Sequence, residues 1–211
     1  MKNTDKKKNR IILASASPRR LELLGQVGII PEVIPSHVEE AVTSTKPDQV
    51  VMELSAQKAE DVAAMFLNQG NLDLVVIGSD TVVAVDGEIL GKPHDEEDAV
   101  RMLSMIQGRT HQVYTGVTMI FGKDGERVTF SEKADVHVYP MTEAQILQYA
   151  ATSEPYDKAG GYGIQGYFAA YIKGISGDYN SVVGRPVGRV CQELFAHGFC
   201  LFFHTPFGRY E

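Results

Sequence analysis

The chain has 211 residues, of which 44% are hydrophobic, and it carries a formal net charge of -7 with an isoelectric point of about 5.4. This length and composition suffice for one sizeable core or two small lobes, and they exclude a globally disordered chain. The acidic charge argues against a general nucleic-acid-binding surface, so any anionic ligand must be held by a local basic pocket.

Compartment and processing signals are sparse. No apolar run approaches the roughly 20 residues that a transmembrane helix needs, and no secretory signal is recognisable. Residues 1–9 are rich in lysine and are expected to form a flexible basic tail. Cys191 and Cys200 have no metal-type spacing and are expected to stay reduced. We therefore expect a cytoplasmic protein with no membrane partner.

The first strong signal is the segment 14–20, Ala-Ser-Ala-Ser-Pro-Arg-Arg, which follows a short apolar run that predicts a buried strand. Ser17 is placed to cap a helix, and Pro18 suits the first helical position. Arg19 and Arg20 then bring two cations to a helix N-terminus, where the helix dipole favours negative charge. An anion held by the arginines and the backbone N–H groups would resolve this misfit. Two solvated arginines on an ordinary surface helix explain the pattern equally well.

A second helix is predicted over 47–70, with its apolar residues on one face. Lys58 falls on or beside this apolar stripe, seven residues from both Val51 and Met65. Snorkelling of its ammonium group to water at the rim of the core is the simpler explanation. The alternative is that this rim forms the edge of an active site.

A central strand is predicted over 72–78, ending at Ser79-Asp80-Thr81. Strand ends in α/β sheets border the ligand crevice, which places Asp80 where chemistry is expected. An aspartate that only caps a turn is also common at such a position.

The remaining pattern alternates between strands and helices. Asp86-Gly87 is the strongest hairpin signal, and Thr142 with Gln145 has the spacing of a capping box. Further helices are predicted over 18–24, 95–107, from 142 to before 155, and 186–198. Further strands are predicted over 11–13, 32–35, 81–85, 88–90, 113–121, 126–139, 167–172 and 199–203. Loops are predicted over the glycine-rich segment 157–166 and over 174–185.

Carboxylates and cations in one cleft would suggest phosphate chemistry. Glu39 or Glu40 adds a carboxylate to Asp80, and Lys58 and Lys92 add cations to the arginine pair. Such a set suits a hard divalent ion, Mg²⁺ or Mn²⁺, because these ions prefer oxygen ligands. No P-loop, dinucleotide fingerprint or zinc spacing is present.

Nucleophilic catalysis by a hydroxyl has weak support. The six histidines are scattered, and no Ser-His-Asp order can be recognised. Ser17 is a candidate nucleophile, but helix capping explains it at least as well.

Six motifs in one order resemble the Maf-type nucleoside triphosphate pyrophosphatases over nearly the whole chain after the tail. They are Leu-Ala-Ser-Ala-Ser-Pro-Arg-Arg at 13–20, Gln-Lys-Ala at 57–59, Gly-Ser-Asp-Thr-Val-Val at 78–83, Gly-Lys-Pro at 91–93, Gly-Arg-Thr-His-Gln-Val-Tyr-Thr-Gly-Val at 108–117 and Asp-Lys-Ala-Gly-Gly-Tyr-Gly-Ile-Gln-Gly at 157–166. The family commonly has alanine where this chain has Ser79, which is a small departure.

The resemblance implies an α/β fold of two lobes around a curved mixed β-sheet, with flanking helices and a central cleft, formed by residues 10–211 as one domain. It implies metal-dependent hydrolysis of the α–β phosphoanhydride of nucleoside triphosphates to a monophosphate and pyrophosphate. A homodimer and the lack of a stable nucleic-acid complex are further expectations.

The resemblance also implies roles for particular residues. Asp80 matches the family's proposed proton acceptor. By their chemistry, Glu40 and Asp80 would hold the metal, and whether Asp80 acts mainly as proton acceptor or as metal ligand stays open at this point. Other positions that matter for activity match Ser17, Arg20, Glu40, Lys58, Lys92 and Gln165. The branch that prefers dTTP and UTP is marked by the positions of Arg19, Thr81 and Gln165; of these, Thr81 and Gln165 are expected to hydrogen-bond a pyrimidine edge.

Two other functions remain open at this stage. A non-catalytic nucleotide-binding regulator of cell division would hold a triphosphate through Arg19, Arg20 and Lys92, but it would gain nothing from Asp80 and Glu40. A pyrophosphatase for purine (inosine or xanthosine) triphosphates would use the same phosphate chemistry and differ in the base it accepts.

Overall fold

A computed structural model of the protein describes residues 10–67, 74–122 and 125–199. The helices are α1 (Pro18–Gln26), α2 (Pro47–Leu67), α3 (Glu96–Ile106), α4 (Glu143–Ala150), α5 (Tyr179–Val183) and α6 (Val187–Ala196). The strands are β1 (Arg10–Leu13), β2 (Glu32–Val33), β3 (Leu74–Val85), β4 (Glu88–Leu90), β5 (Thr110–Phe121), β6 (Arg127–Val138) and β7 (Ile172–Ser176). No helix within these ranges is long and apolar enough to cross a membrane.

The seven strands form one mixed sheet in the order β2-β1-β3-β5-β6-β7, with β4 paired to β3. β1 runs parallel to β2 and β3, whereas β3, β5, β6 and β7 are mutually antiparallel neighbours. Helices flank this sheet, so the predicted α/β class with a mixed sheet is confirmed.

The predicted capping box and hairpin turn are confirmed, whereas Ser17 stands at the N-cap of α1 without the side-chain capping hydrogen bond that its position predicted. The Asp95 side chain accepts a hydrogen bond from the Asp98 backbone N–H at 2.8 Å at the start of α3, and Thr142 and Gln145 form a capping box at the start of α4. In the β3–β4 hairpin, Asp86 and Gly87 have φ values of 52° and 81°. Both residues of a type I′ turn need positive φ, which explains the Asp-Gly pair.

β3 has an open stretch along one edge. β1 pairs with this edge as far as Ile77, and β4 pairs with it again from Val83 to Val85. The opposite edge pairs with β5 from Val75 to Ala84. Residues 78–82 therefore have a regular strand partner on one side and a gap between β1 and β4 on the other, and this gap positions the site.

α2 lies directly against the sheet beneath this gap. A Cβ atom on Gly78 would overlap the Ser55 carbonyl oxygen, and a Cβ atom on Gly116 would overlap the Val51 carbonyl oxygen. The two glycines thus let the backbone of α2 approach β3 and β5 more closely than any side chain would allow. This close approach brings Lys58 on α2 to β3.

The other face of the sheet carries two hydrophobic clusters. One joins β1, β3 and β5 to α6 and includes Leu13, Ile77 and Leu194. The second joins the far end of β3 to α3 and α4 and includes Val83 and Leu103. The gap in the edge of β3 lies between the parts of β3 that these two clusters cover.

Three predicted segments are wrong. β3 does not end at Ser79-Asp80-Thr81, because its pairing with β5 continues through this segment. Residues 167–171 form a 3-10 helix instead of a strand, because the N–H groups of Tyr167 and Phe168 donate to the Glu154 carboxylate. The strand β7 and the helix α5 lie largely within the predicted loop 174–185.

Several sequence predictions fall outside the described residues. They concern the tail 1–9, the end of the second helix at Gly70, most of the strand 199–203, and Cys200. Cys191 is a buried free thiol, and burial raises its pKa.

Candidate active site

A cleft of about 1180 Å³ opens beside the gap in the edge of β3. Its lining contains every residue that was predicted for the site, which are Ser17, Arg19, Arg20, Glu40, Lys58, Asp80, Thr81, Lys92 and Gln165. Glu39, the alternative to Glu40, is exposed and lies outside this lining. The chain therefore brings together in space the residues that the motifs place far apart in sequence.

The centre of the cleft is a lysine bound by two carboxylates. The Lys58 ammonium group donates to Oδ1 of Asp80 and lies 2.8 Å from Oε1 of Glu40. The side chains of Lys58 and Asp80 are only 16% and 14% exposed, whereas Glu40 is half exposed. The ammonium group thus lies between two acids at the edge of the cleft.

The same two carboxylates are the candidate metal ligands. Both present oxygen atoms to one positive centre, and oxygen is the ligand type that Mg²⁺ and Mn²⁺ prefer. No group of three or more His, Cys, Asp or Glu side chains within the described ranges could hold a metal ion by itself. Glu40 and Asp80 therefore fit a metal ion that takes its other ligands from water and phosphate, as Mg²⁺ usually does.

Arg20 is held by three neutral acceptors. Its Nε donates to the Gly184 carbonyl oxygen at 3.0 Å, and its two terminal nitrogens donate to Ser15 Oγ at 3.2 Å and Thr81 Oγ1 at 3.3 Å. Burial lowers the pKa of Arg20, and the charge of Asp80 opposes this shift. Three of the five guanidinium N–H groups are used, which leaves a fixed cation with donors for an anion.

A chain of hydroxyl groups orients Thr81 toward Arg20. Thr115 Oγ1 donates its only hydrogen to the Ser181 carbonyl oxygen at 2.8 Å. The Oγ1 atoms of Thr81 and Thr115 are also 2.8 Å apart, and in this second hydrogen bond Thr81 must therefore be the donor. The Thr81 hydroxyl then accepts from Arg20. Thr81 accordingly supports the guanidinium, and its own hydrogen is not free for a base. The motif at 108–117 contains Thr115, but this threonine was not predicted as a site residue.

Arg19 points to another part of the cleft. Its guanidinium donates to Oδ2 of Asp157 at 2.9 Å, and Asp157 also binds Lys158. Burial would raise the pKa of Asp157, but the hydrogen bonds from Lys158 and Arg19 outweigh it, so that the pKa is lowered. This ion pair links the start of α1 to the glycine-rich segment. The motif at 157–166 contains Asp157 and Lys158, but neither of these two residues was predicted as a site residue.

The glycine-rich segment is wrapped around a carboxylate. Glu154 Oε1 accepts from the Tyr149 hydroxyl at 2.8 Å, and Oε2 accepts from the Tyr167 backbone N–H at 2.7 Å. A Cβ atom at Gly166 would overlap this carboxylate. Glycine is thus needed for the segment to close around Glu154, and Gln165 remains exposed at the cleft.

A buried histidine also ties this segment to the sheet. His111 on β5 is fully buried, and its Nε2 lies 2.7 Å from the Tyr162 hydroxyl. Burial lowers the pKa of His111 to about 4, with a smaller contribution from His137. The imidazole is therefore neutral at pH 7, and its contact with Tyr162 serves to pack the glycine-rich segment against β5.

Fold and site together define an α/β protein with a cleft lined by two acids, a lysine and an arginine. The family model described as "Maf-like protein" matches residues 10–197. The chain belongs to the Maf-like protein family.

Similar proteins match 88–90% of this chain. A protein of Agathobacter rectalis named "dTTP/UTP pyrophosphatase" is 56% identical over 198 residues, covering 88% of this chain and 96% of its own. Proteins of the same name from Lachnoclostridium phytofermentans and Bacillus thuringiensis subsp. konkukian are 46% and 47% identical, covering 90% and 88% of this chain and 95% and 94% of their own. A partial likeness to the Staphylococcus aureus Ham1 protein has a TM-score of 0.44 at 19% identity, over 61% of this chain and 71% of that one.

Proposed function

We propose that the protein is a nucleoside triphosphate pyrophosphatase that hydrolyses dTTP, UTP and related pyrimidine triphosphates at the α–β phosphoanhydride. The products are the nucleoside monophosphate and pyrophosphate, and the role is to clear surplus or modified nucleotides. The observation that carries this proposal is the Lys58 ammonium group held between Asp80 and Glu40, beside the Arg20 anion site. The family and the names of the similar proteins support it.

The reaction needs a held triphosphate and an oriented water. Arg20 and Lys92 line the cleft and supply positive charge to the phosphates, so that charge can develop on the leaving group. The Asp80 carboxylate accepts a hydrogen bond from the water and takes its proton as the water attacks the α-phosphorus. The bond to the α–β bridging oxygen breaks, and its electrons leave with pyrophosphate. Lys58 keeps the Asp80 carboxylate in position for this step.

Glu40 and Asp80 would hold the divalent metal ion. Its charge, when bound, would neutralise phosphate oxygens and so assist attack by water. Ser17 occupies the N-cap position of α1, but its side chain makes no capping hydrogen bond. We assign its hydroxyl to a phosphate oxygen, which the neighbouring N–H groups at the helix start also favour.

Product analysis with a panel of substrates tests this function. With Mg²⁺ or Mn²⁺ present, the protein is expected to release pyrophosphate from dTTP and UTP faster than from GTP, ATP, ITP or XTP. Release of orthophosphate would identify an ordinary phosphatase, and preference for ITP or XTP a purine enzyme. Tight binding of dTTP without any product would favour the non-catalytic regulator.

Arg19 is assigned to the choice of base, since it is held at the segment that carries Gln165, away from the acceptors of Arg20. Arg19→Ala is expected to lower the ratio of dTTP to GTP turnover by about tenfold, with a smaller change in the dTTP rate. Steady-state rates on both substrates measure this ratio. Arg101→Ala is the matched control, because Arg101 pairs with Glu88 and Asp98 on the surface. Equal losses on both substrates in the Arg19 variant would make this residue one more phosphate contact.

A further inference from the structure

Arg185 is a buried cation for which the described residues provide no acceptor. Its side chain is fully buried, and none of its three guanidinium nitrogens has a hydrogen-bond partner in the described part of the chain. Buried polar groups in folded proteins are almost always hydrogen-bonded, and unpaired buried charges are rarer still. An orphaned guanidinium therefore needs a physical explanation.

The position of Arg185 connects it to the anion site. It directly follows Gly184, whose carbonyl oxygen accepts from Arg20. Two residues later, Val187 packs in the cluster that contains Ile77. Along the chain, Arg185 thus lies between Gly184, which binds Arg20, and Val187, which packs in the hydrophobic core.

A second orphaned group lies on the same face of β3. Ser79 Oγ is buried without a partner among the described residues. The alternation of side chains along a strand puts Ser79 on the face that carries Thr81, which contacts Arg20, and Ile77. Ser79 is thus a second unsatisfied polar side chain, on the face of β3 that contacts Arg20 through Thr81.

The Arg185 guanidinium keeps its charge at neutral pH. Burial lowers its pKa to about 9, and the charge of Arg20 acts in the same direction. Protonation at pH 7 leaves two cations close to one another, and only Arg20 lines the cleft. An uncompensated buried charge destabilises a folded protein, so a bound anion would relieve a real electrostatic cost.

We propose that Arg185 is a buried second guanidinium of the anion site, whose charge acts across Gly184 on a polyphosphate bound at Arg20. In the low dielectric of the protein interior, a charge attracts an anion over several ångströms without contact. Arg185 would favour ligands with several negative charges, such as pyrophosphate or the triphosphate chain. This proposal rests on the proposed function for the identity of the ligand.

The test is binding of inorganic pyrophosphate, which needs no turnover. Arg185→Met removes the charge and keeps the length of the side chain. Without anion, this variant is expected to melt about 3 °C or more above the unmodified protein, because an unpaired buried charge is lost. Its pyrophosphate dissociation constant, measured by isothermal titration calorimetry, is expected to rise by about tenfold or more.

Two further variants separate a charge effect from a packing effect. Arg185→Lys keeps the charge and is expected to bind pyrophosphate within about threefold of the unmodified protein. Arg189→Met, which removes a surface arginine that pairs with Glu132 and stacks on Phe130, is expected to leave the affinity unchanged. Should Arg185→Met not fold, Arg185→Gln carries the same expectations for affinity.

Three outcomes would overturn the proposal. The first is unchanged pyrophosphate affinity in the neutral variants Arg185→Met and Arg185→Gln. The second is a loss of pyrophosphate affinity in Arg189→Met equal to that in Arg185→Met. The third is a lower melting temperature of Arg185→Met with unchanged affinity, which would make Arg185 a structural residue. If the unmodified protein binds no pyrophosphate at all, the proposed function loses its product site, and the Arg185 proposal falls with it. Turnover of dTTP with equal pyrophosphate affinity in all variants would overturn only the Arg185 proposal.

Discussion

Replacing Asp80 with asparagine is expected to reduce pyrophosphate release from dTTP by about 10³-fold or more. The amide has nearly the shape of the carboxylate, but it cannot take a proton from water and is a poor metal ligand. Lys58 would keep Glu40 as a partner, so the fold should be retained. The rate is measured by product analysis at saturating dTTP, and the fold by circular dichroism and thermal melting.

The matched control for this change is Asp86→Asn. Asp86 lies on the turn that follows the same strand and pairs with Arg109 at the surface. Its φ of 52° is one that asparagine also adopts readily, so this variant should keep the unmodified rate. Binding of dTTP to Asp80→Asn should persist, because the phosphate-binding cations are untouched. Wild-type turnover in Asp80→Asn would show that the proton acceptor is another group.

Alanine at Gly116 is expected to destabilise the protein by about 3 kcal/mol or more. The new methyl group would overlap the Val51 carbonyl oxygen, which is backbone and can move only if α2 moves. Because α2 also carries Lys58, the displacement should pull the ammonium group away from Asp80. The folded fraction of the Gly116→Ala protein should therefore hydrolyse dTTP more slowly. Urea unfolding measures the stability, and dTTP hydrolysis measures the second effect.

Gly188→Ala is the control for a glycine-to-alanine change. A Cβ atom on this glycine of α6 meets no other atom within 4 Å. Alanine should therefore stabilise the helix by about 0.5–1 kcal/mol through its higher helix propensity and leave activity unaltered. A Gly116→Ala protein as stable as the unmodified one would show that α2 does not need this close approach.

Much of the local structure could be predicted from the chain because its causes are local. The Asp86-Gly87 turn and the Thr142 capping box each depend on residues within three or four positions of one another. The failures were segments whose backbone partners are distant. Whether β3 continues past Ser79 depends on its pairing with β5, and whether residue 167 joins a strand depends on Glu154.

In the candidate site, too, some features were predicted from the sequence and others depend on partners that are distant in the chain. Motif positions named the cleft-lining residues in advance, because the resemblance relates each position to a family pattern. Their partners were not named: Asp157 for Arg19, Thr115 behind Thr81, and Gly184 for Arg20. Arg185 gave no signal, since an arginine in a predicted loop is ordinarily solvated.

By itself, the sequence determined the α/β class, the turns and caps, the family and the chemical types gathered for phosphate. The tertiary structure alone decided that Lys58 binds Asp80 and Glu40, that Arg19 and Arg20 face different partners, and that Arg185 is buried. The physical reason is that these contacts arise where β1 and β4 leave a gap on β3 and where two glycines admit α2. Pairing and packing between elements far apart in the chain create that gap, and no local pattern encodes it.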